Sequence, residues 1–211
     1  MNKEKLITSL NTILQDKGKR KFSQSVELIL NFRGIDFSKP NSRLNLEVLL
    51  PKGKGKAVRI GVFADGQAAL DARNNGADVI FSTEDVAKLA ADRPRLKKLL
   101  LDHEFLAQPS LMMVVGKQMG QVLGTKDRLP RPIVGMAMKD LMERAKRTIK
   151  LKSKGKYLPV AQCLVGTEKM EVNDLADNVE AVVDAVKNKV GEQSIKSAYV
   201  KLTMGKPVKI L

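Results

Sequence analysis

The 211-residue sequence contains no tryptophan, two tyrosines, six phenylalanines, one cysteine and one histidine. Each scarcity excludes something. With aromatics at 4%, base stacking is not the main mode of any nucleic-acid recognition, because single-strand binders rely on aromatic platforms. Contacts to phosphate, ribose and overall shape fit better. The lone Cys163 excludes an internal disulfide and fits a reducing cytosol. Cys163 and His103 are too few for a zinc site of the usual type. They could act as nucleophile and base, but Cys163 sits in an apolar strand, which favours a buried structural thiol. No apolar run reaches about 18 residues, so no membrane span is expected, and MNKEKLITSL reads as a mixed-charge helix start rather than a signal peptide. Acidic residues are in deficit, 23 against 38 basic ones, for a net charge of +15. That imbalance predicts a polyanionic partner, either nucleic acid or an acidic membrane surface.

Glycine-rich phosphate loops are missing too. The first apolar strand of the middle region ends in Ala64-Asp65-Gly66-Gln67, with a single glycine, and Gly120 to Lys126 (GQVLGTK) does not match a G-x-x-x-x-G-K loop. A nucleotide-dependent enzyme built on that region is the alternative reading, weakly supported. Gly116, Gly120 and Gly124 would share one helix face, for tight packing or for close approach of a backbone or phosphate; packing is the favoured reading.

What is present divides by grammar. Residues 3–15 carry Leu6, Ile7, Leu10, Ile13 and Leu14 at helical spacing, with Gly18 as the stop. Ser25–Phe32 alternates Val26, Leu28 and Leu30 with Glu27, Ile29 and Asn31, a strand. A second strand follows at Arg43–Leu50, and Pro51 to Lys56 (PKGKGK) reads as a flexible basic connector. Strands then alternate with helices: Val58–Ala64, Gln67–Asn74, Ala77–Phe81, Glu84–Ala91, Arg95–Leu101, Glu104–Ala107 and Ser110–Leu123. That pattern implies βαβ units and a parallel sheet. Arg128–Pro132 reads as a rigid extended loop and Lys139–Arg147 as a helix. In Thr148–Lys156 the residues Lys150, Lys152, Lys154 and Lys156 share one parity, a basic edge if extended. Tyr157–Val165 is a strand, and Glu171–Val190 a helix stopped by Gly191.

The closing stretch, Ile195 to Leu211, alternates Ile195, Ser197, Tyr199, Lys201 and Thr203 with Lys196, Ala198, Val200, Leu202 and Met204. It breaks at Met204-Gly205 and resumes at Val208. It holds four lysines and no acid, which suits either a solvated C-terminal strand or one that meets a polyanion. The two chain ends thus share one grammar and the middle has another. The expectation is a mixed α/β and α+β protein of two domains: a discontinuous domain from 1–54 and 150–211, and an inserted domain at 55–149. Gly53, Gly55 and Lys150 mark the hinges. A peripheral membrane protein ranks last, because the helices at 3–15 and 171–190 carry acids among their bases.

Several motifs then coincide. Lys21-Phe22-x-x-Ser25-Val26-Glu27, Pro51-x-Gly53-x-Gly55-Lys56 and Thr203-Met204-Gly205, in this order, resemble the ribosomal protein L-one family. Gly76-Ala77-Asp78, Gly116-Lys117-x-x-Gly120-x-x-Leu123-Gly124, Leu129-Pro130-x-Pro132, Val165-Gly166 and Leu175-Ala176-x-Asn178 extend the match nearly end to end. Lys206-Pro207 and the short N-terminus look more archaeal than bacterial. Three positions depart from the pattern: Thr125 and Asp127, where proline and glycine are common, and Gln162, where histidine is.

The resemblance implies a discontinuous split β-α-β domain and an inserted Rossmann-like three-layer α/β domain. It implies a non-enzymatic constituent of the large ribosomal subunit, cytoplasmic, without cofactor or metal, and monomeric off the ribosome. Its partners would be large-subunit ribosomal RNA, exit-site tRNA whose release the mobile stalk assists, and its own messenger RNA, whose translation it represses. Lys21, Phe22, Ser25 and Glu27 would meet RNA from the first strand, and Thr203, Met204, Gly205 and Lys206 from the C-terminal turn. Lys152 and Lys154 add to this list from the basic edge. Phe22 could instead pack in the core. Gly205 would let an RNA backbone come close, and Glu27 would accept from a 2′-hydroxyl or a base amino group.

Overall fold

The computed structural model describes residues 3–39, 42–153 and 157–211. The chain divides into two compact units, Met1–Lys56 with Arg147–Leu211, and Ala57–Lys146. The first unit opens with α1 (Lys3–Leu14), β1 (Ser25–Phe32) and β2 (Asn45–Leu49). Leu6, Leu10 and Ile13 form the buried stripe of α1. β1 alternates fully, with Val26, Leu28, Leu30 and Phe32 buried, the pattern of a sheet covered on one face.

The second unit carries β3 (Arg59–Phe63), α2 (Gln67–Asn74), β4 (Val79–Phe81), α3 (Thr83–Ala91), α4 (Arg93–Asp102), β5 (His103–Ala107), α5 (Pro109–Thr125), β6 (Arg131–Pro132) and α6 (Met138–Arg147), whose last residue already counts with the first unit. Its four strands are all parallel, in the order β4-β3-β5-β6. Phe63, Phe81 and Phe105 pack with α3, α4 and α5 on one face. Ile60, Val62 and Leu106 pack with α2 and α6 on the other. Gly61 is required here, because a Cβ would lie 2.7 Å from the Phe105 ring. Ser82 and Asp85 cap α3 reciprocally. Arg131–Pro132, expected as a loop, instead pairs with Leu106 and Ala107. It is an edge strand, where a missing proline N–H costs no ladder bond. The three glycines of α5 do not pack tightly: a Cβ on Gly116, Gly120 or Gly124 would meet nothing within 4 Å. The buried stripe of that helix is Leu111, Val115, Met119 and Leu123.

The chain returns to the first unit with β7 (Thr148–Lys152), β8 (Val160–Thr167), α7 (Val172–Val190), β9 (Ile195–Leu202) and β10 (Val208–Lys209). β7 pairs with β2 from Thr148 onward, so the chain passes between units at Lys56–Ala57 and Lys146–Arg147. The other four strands form an antiparallel sheet in the order β10-β9-β1-β8. Helices α1 and α7 cover one face of it and build one core with β1, β8 and β9. The expected parity of β9 holds in its middle and fails at its ends. A shift in register opposite Asn31 and Phe32 releases Lys196 from the core face, and Met204 lies past the strand, exposed.

The stretch from Leu50 to Gly55 is tethered, contrary to the expected flexible connector. Asn178, fully buried on α7, accepts the Lys52 N–H (3.0 Å) and donates to the carbonyls of Gly53 (2.9 Å) and Val165 (2.8 Å). Thr167 Oγ1 donates to the Gly55 carbonyl (3.1 Å), and Lys52 pairs with Asp174 (3.1 Å). Lys150, expected at a hinge, is in the middle of β7 opposite Glu47.

Candidate nucleic-acid interface

The end of α1 runs into a basic turn, Lys17 to Lys21, in which Gly18 takes φ +74°. Asp16 neutralises part of it. Its carboxyl is held below the ordinary aspartate value first by the hydrogen bond from Lys19 (2.5 Å), with weaker contributions from Lys206 and Arg20. Lys206 belongs to the turn between β9 and β10, so both chain ends contribute cations around one carboxylate.

Their backbones are joined as well. The Thr203 N–H donates to the Ser25 carbonyl (3.0 Å), and Thr203 Oγ1 accepts the Ser25 N–H (3.1 Å). Gln24, only 2% exposed, accepts the Met204 N–H (3.2 Å) on its side-chain oxygen. Its side-chain nitrogen reaches the Asp16 carbonyl and Glu168, both at 3.4 Å. The turn is thereby fixed against the entry of β1. Phe22 and Met204 stand out of this surface, 51% and 59% exposed. Phe22 is therefore no core residue. Gly205 donates to the Leu202 carbonyl (2.9 Å) and has no left-handed φ. A Cβ there would lie 3.1 Å from Leu202 Cβ, a tight contact that Leu202 would have to relieve by a small shift.

The interface continues onto the sheet face opposite the helices. Glu27 and Lys201 oppose each other on β1 and β9 and approach to 3.7 Å. The acids of α7 lie on the other side of the sheet, where Asp174 and Asp177 hold Lys52 and Lys3.

The structure thus brings Lys21, Phe22, Ser25, Glu27, Thr203, Met204, Gly205 and Lys206 to one end of the sheet, around the entry of β1 and the turn after β9. Lys150 and Lys152 do not join them; they lie on the separate β2–β7 ladder. Lys154 lies outside the described residues. Gln24 was missed by the sequence reading: a glutamine one residue before a strand carries no signal until its burial is known. Cys163 and His103 belong to different units. Burial pushes the Cys163 thiol up to about 12, and His103 Nδ1 is 3.2 Å from the Leu99 carbonyl. At the ends of β3 and β5, Asp65 and Gln108 occupy the crevice where a doubly wound sheet binds phosphate. Asp65 bonds Thr83, and its N–H donates to Gln108 (3.3 Å). A carboxylate in that place opposes an anionic ligand. Among the described residues no group of His, Cys, Asp and Glu is placed to hold a metal ion.

Fold and surface together define a basic α/β protein whose cations and hydroxyls gather on a sheet rather than around a catalytic centre. The sequence matches the Ribosomal protein L1p/L10e family over residues 13–206, and the chain belongs to that family. It is 36% identical over 215 residues to the large ribosomal subunit protein uL1 of Methanocella arvoryzae, covering 100% of both chains. It is 39% identical to that of Methanothermobacter thermautotrophicus, over 91% of this chain and 92% of the relative. With the protein of the same name from Methanocaldococcus jannaschii it shares 38% over 100% of this chain and 96% of the relative. These relatives are archaeal, and they are ribosomal proteins rather than enzymes. The nucleotide-dependent reading of the inserted unit draws no support from them.

Proposed function

We propose that this protein is a structural constituent of the large ribosomal subunit, cytoplasmic on the ribosome, and binds ribosomal RNA directly through the unit made of both chain ends. One observation carries the reading: the charge is not shared evenly. The first unit holds 24 of the 38 basic and 12 of the 23 acidic residues, a net +12, whereas the inserted unit holds 14 and 11, a net +3. The cations sit beside the Ser25–Thr203 junction, where the Ser25 hydroxyl suits a phosphate or 2′-hydroxyl partner, and the Thr203 hydroxyl, which donates to the Ser25 carbonyl (3.3 Å), can still accept from a 2′-hydroxyl. Lys152 adds charge from β7 of the same unit, and Lys154, outside the described residues, is proposed with it from the sequence alone. The two units act as a discontinuous RNA-binding domain and an inserted Rossmann-like domain. Since Gly53 and Gly55 are tethered, the pivot between them lies at Lys56–Ala57 and Lys146–Arg147. A movable second domain is what a stalk assisting release of exit-site tRNA requires. The same RNA surface would serve a similar fold in the protein's own messenger RNA and repress its translation.

The test is binding to a transcript of large-subunit ribosomal RNA at about 0.15 M salt. Thr203→Ala and Met204→Ala weaken binding while the circular dichroism spectrum is unchanged. Lys206→Ala lowers the salt slope by about one unit per lost phosphate contact. Affinities equal to the parent protein in all three variants would overturn the assigned interface.

A further inference from the structure

The sheet face turned away from α1 and α7 carries a row of apolar side chains that the core does not use. Ile29 on β1 is half-buried, lies directly opposite Tyr199 on β9 and Gln162 on β8, and has Leu164 nearby on β8. Among the described residues, Ile29, Leu164 and Tyr199 belong to none of the apolar clusters that build the two units. Tyr199 is also opposite Lys209 of β10, and Lys201 follows it two residues on, on the same face. An aromatic ring in an inner strand, flanked by lysines and with an aliphatic floor, is the arrangement by which an antiparallel sheet stacks a nucleobase. Thr203 is in the turn that follows β9, four residues on from Tyr199.

We infer that Tyr199 is a stacking platform for one unpaired base of the RNA that the Thr203 turn holds, with Lys201 and Lys209 on its phosphates. The occupant is an RNA rather than an acidic protein because a flat ring offers a base its π-face, and Lys201 and Lys209 beside it leave a positive balance against Glu27, 3.7 Å from Lys201. The inference rests on the RNA-binding reading above. It also limits what the low aromatic content excludes: stacking is not the main mode of recognition, but one ring on this face supplies it at one position.

The chain itself provides the probe. It has no tryptophan and only two tyrosines, Tyr157 and Tyr199, so Tyr157→Phe leaves Tyr199 as the sole strong intrinsic fluorophore. Titrating that variant with the ribosomal RNA transcript is expected to quench its emission, saturating with the affinity measured independently. In parallel, Tyr199→Ala loses affinity roughly tenfold or more, the range of a single stacked base, with an unchanged salt slope. Tyr199→Phe keeps the affinity within about threefold, because the ring is what stacks. If Tyr199→Ala binds as tightly as the parent while Thr203→Ala is weakened, the platform is wrong and the RNA-binding reading stands. If Thr203→Ala and Tyr199→Ala both bind as the parent does, the interface itself is wrong. Should Tyr199→Ala fail to fold, the fluorescence titration decides alone, and unchanged emission at saturating RNA overturns the platform.

Discussion

At the residue scale, Gln24 does the most for the interface without presenting itself to a ligand. Its side chain holds the Met204 N–H and reaches toward Glu168 and the Asp16 carbonyl. Removing it leaves a partly buried N–H unpaired, which costs about 1–2 kcal/mol, and frees the turn that positions Thr203. Gln24→Ala is therefore expected to lower both the midpoint of urea unfolding and the RNA affinity. The affinity loss should overlap with that of Thr203→Ala in a double-mutant cycle, since both act through one turn. Fully additive losses would show that Gln24 only stabilises the fold. Cys163 is the opposite kind of residue, conspicuous in the sequence and inert in the structure. With its thiol pushed up to about 12 by burial, almost none is thiolate at pH 8. Iodoacetamide is expected to leave the folded protein unmodified at that pH and to alkylate it fully in denaturant. Rapid alkylation of the native protein would contradict the buried placement.

Among the elements, α7 ties the unit together. It covers the sheet with Leu175, Val179, Val182, Val183 and Val186 and clamps the 52–55 stretch through Asn178. Asn178→Ala removes three hydrogen bonds. Lys52 N–H and the Gly53 carbonyl can turn to water, but the Val165 carbonyl is inside the core, so a loss of roughly 2–3 kcal/mol is expected. Chemical denaturation checks it, and a change under about 0.5 kcal/mol would mean that the clamp is dispensable. This element also shows what the sequence could disclose. The valines of α7 and the alternation of β1 were legible because a buried face imposes its period on the residues. Asn178 entered the sequence reading only as part of a family motif; nothing in a periodic pattern says that one polar residue on the buried stripe is satisfied by backbone groups, two of them more than a hundred positions away. The same holds for β6, whose two residues are too few for any period. Gly53 and Gly55 misled in the other direction. Their positive φ values, +72° and +69°, are the freedom a hinge would use, yet tertiary hydrogen bonds fix them. At Gly55 a Cβ would lie 2.7 Å from Thr167 Oγ1. Of the candidate interface, Ser25 and Thr203 entered the sequence reading through the family motifs that carry them. Lys152, expected beside them from the basic edge, lies on the separate β2–β7 ladder, because parity along one strand says nothing about which sheet that strand joins.

For the whole molecule, the question is whether the inserted unit is needed for binding. Within the first unit the flanks of the insertion approach each other: the Leu50 N–H donates to the Arg147 carbonyl (3.1 Å), and Gly53, three residues before Lys56, faces the Arg147 side chain. Residues 57–146 can therefore be replaced by a short glycine linker without stretching either strand that flanks them, and the shorter loop closes at a lower entropic cost. The remaining unit keeps its own core of α1, α7 and both sheets and its net charge of +12. It is expected to unfold cooperatively and to bind the ribosomal RNA transcript within about threefold of the full chain. The slope of log affinity against log salt should also be preserved, because that slope counts the phosphates neutralised. A unit that folds but binds with a shallower slope would show that the inserted unit supplies phosphate contacts of its own, and the RNA interface would then have to be redrawn across both units.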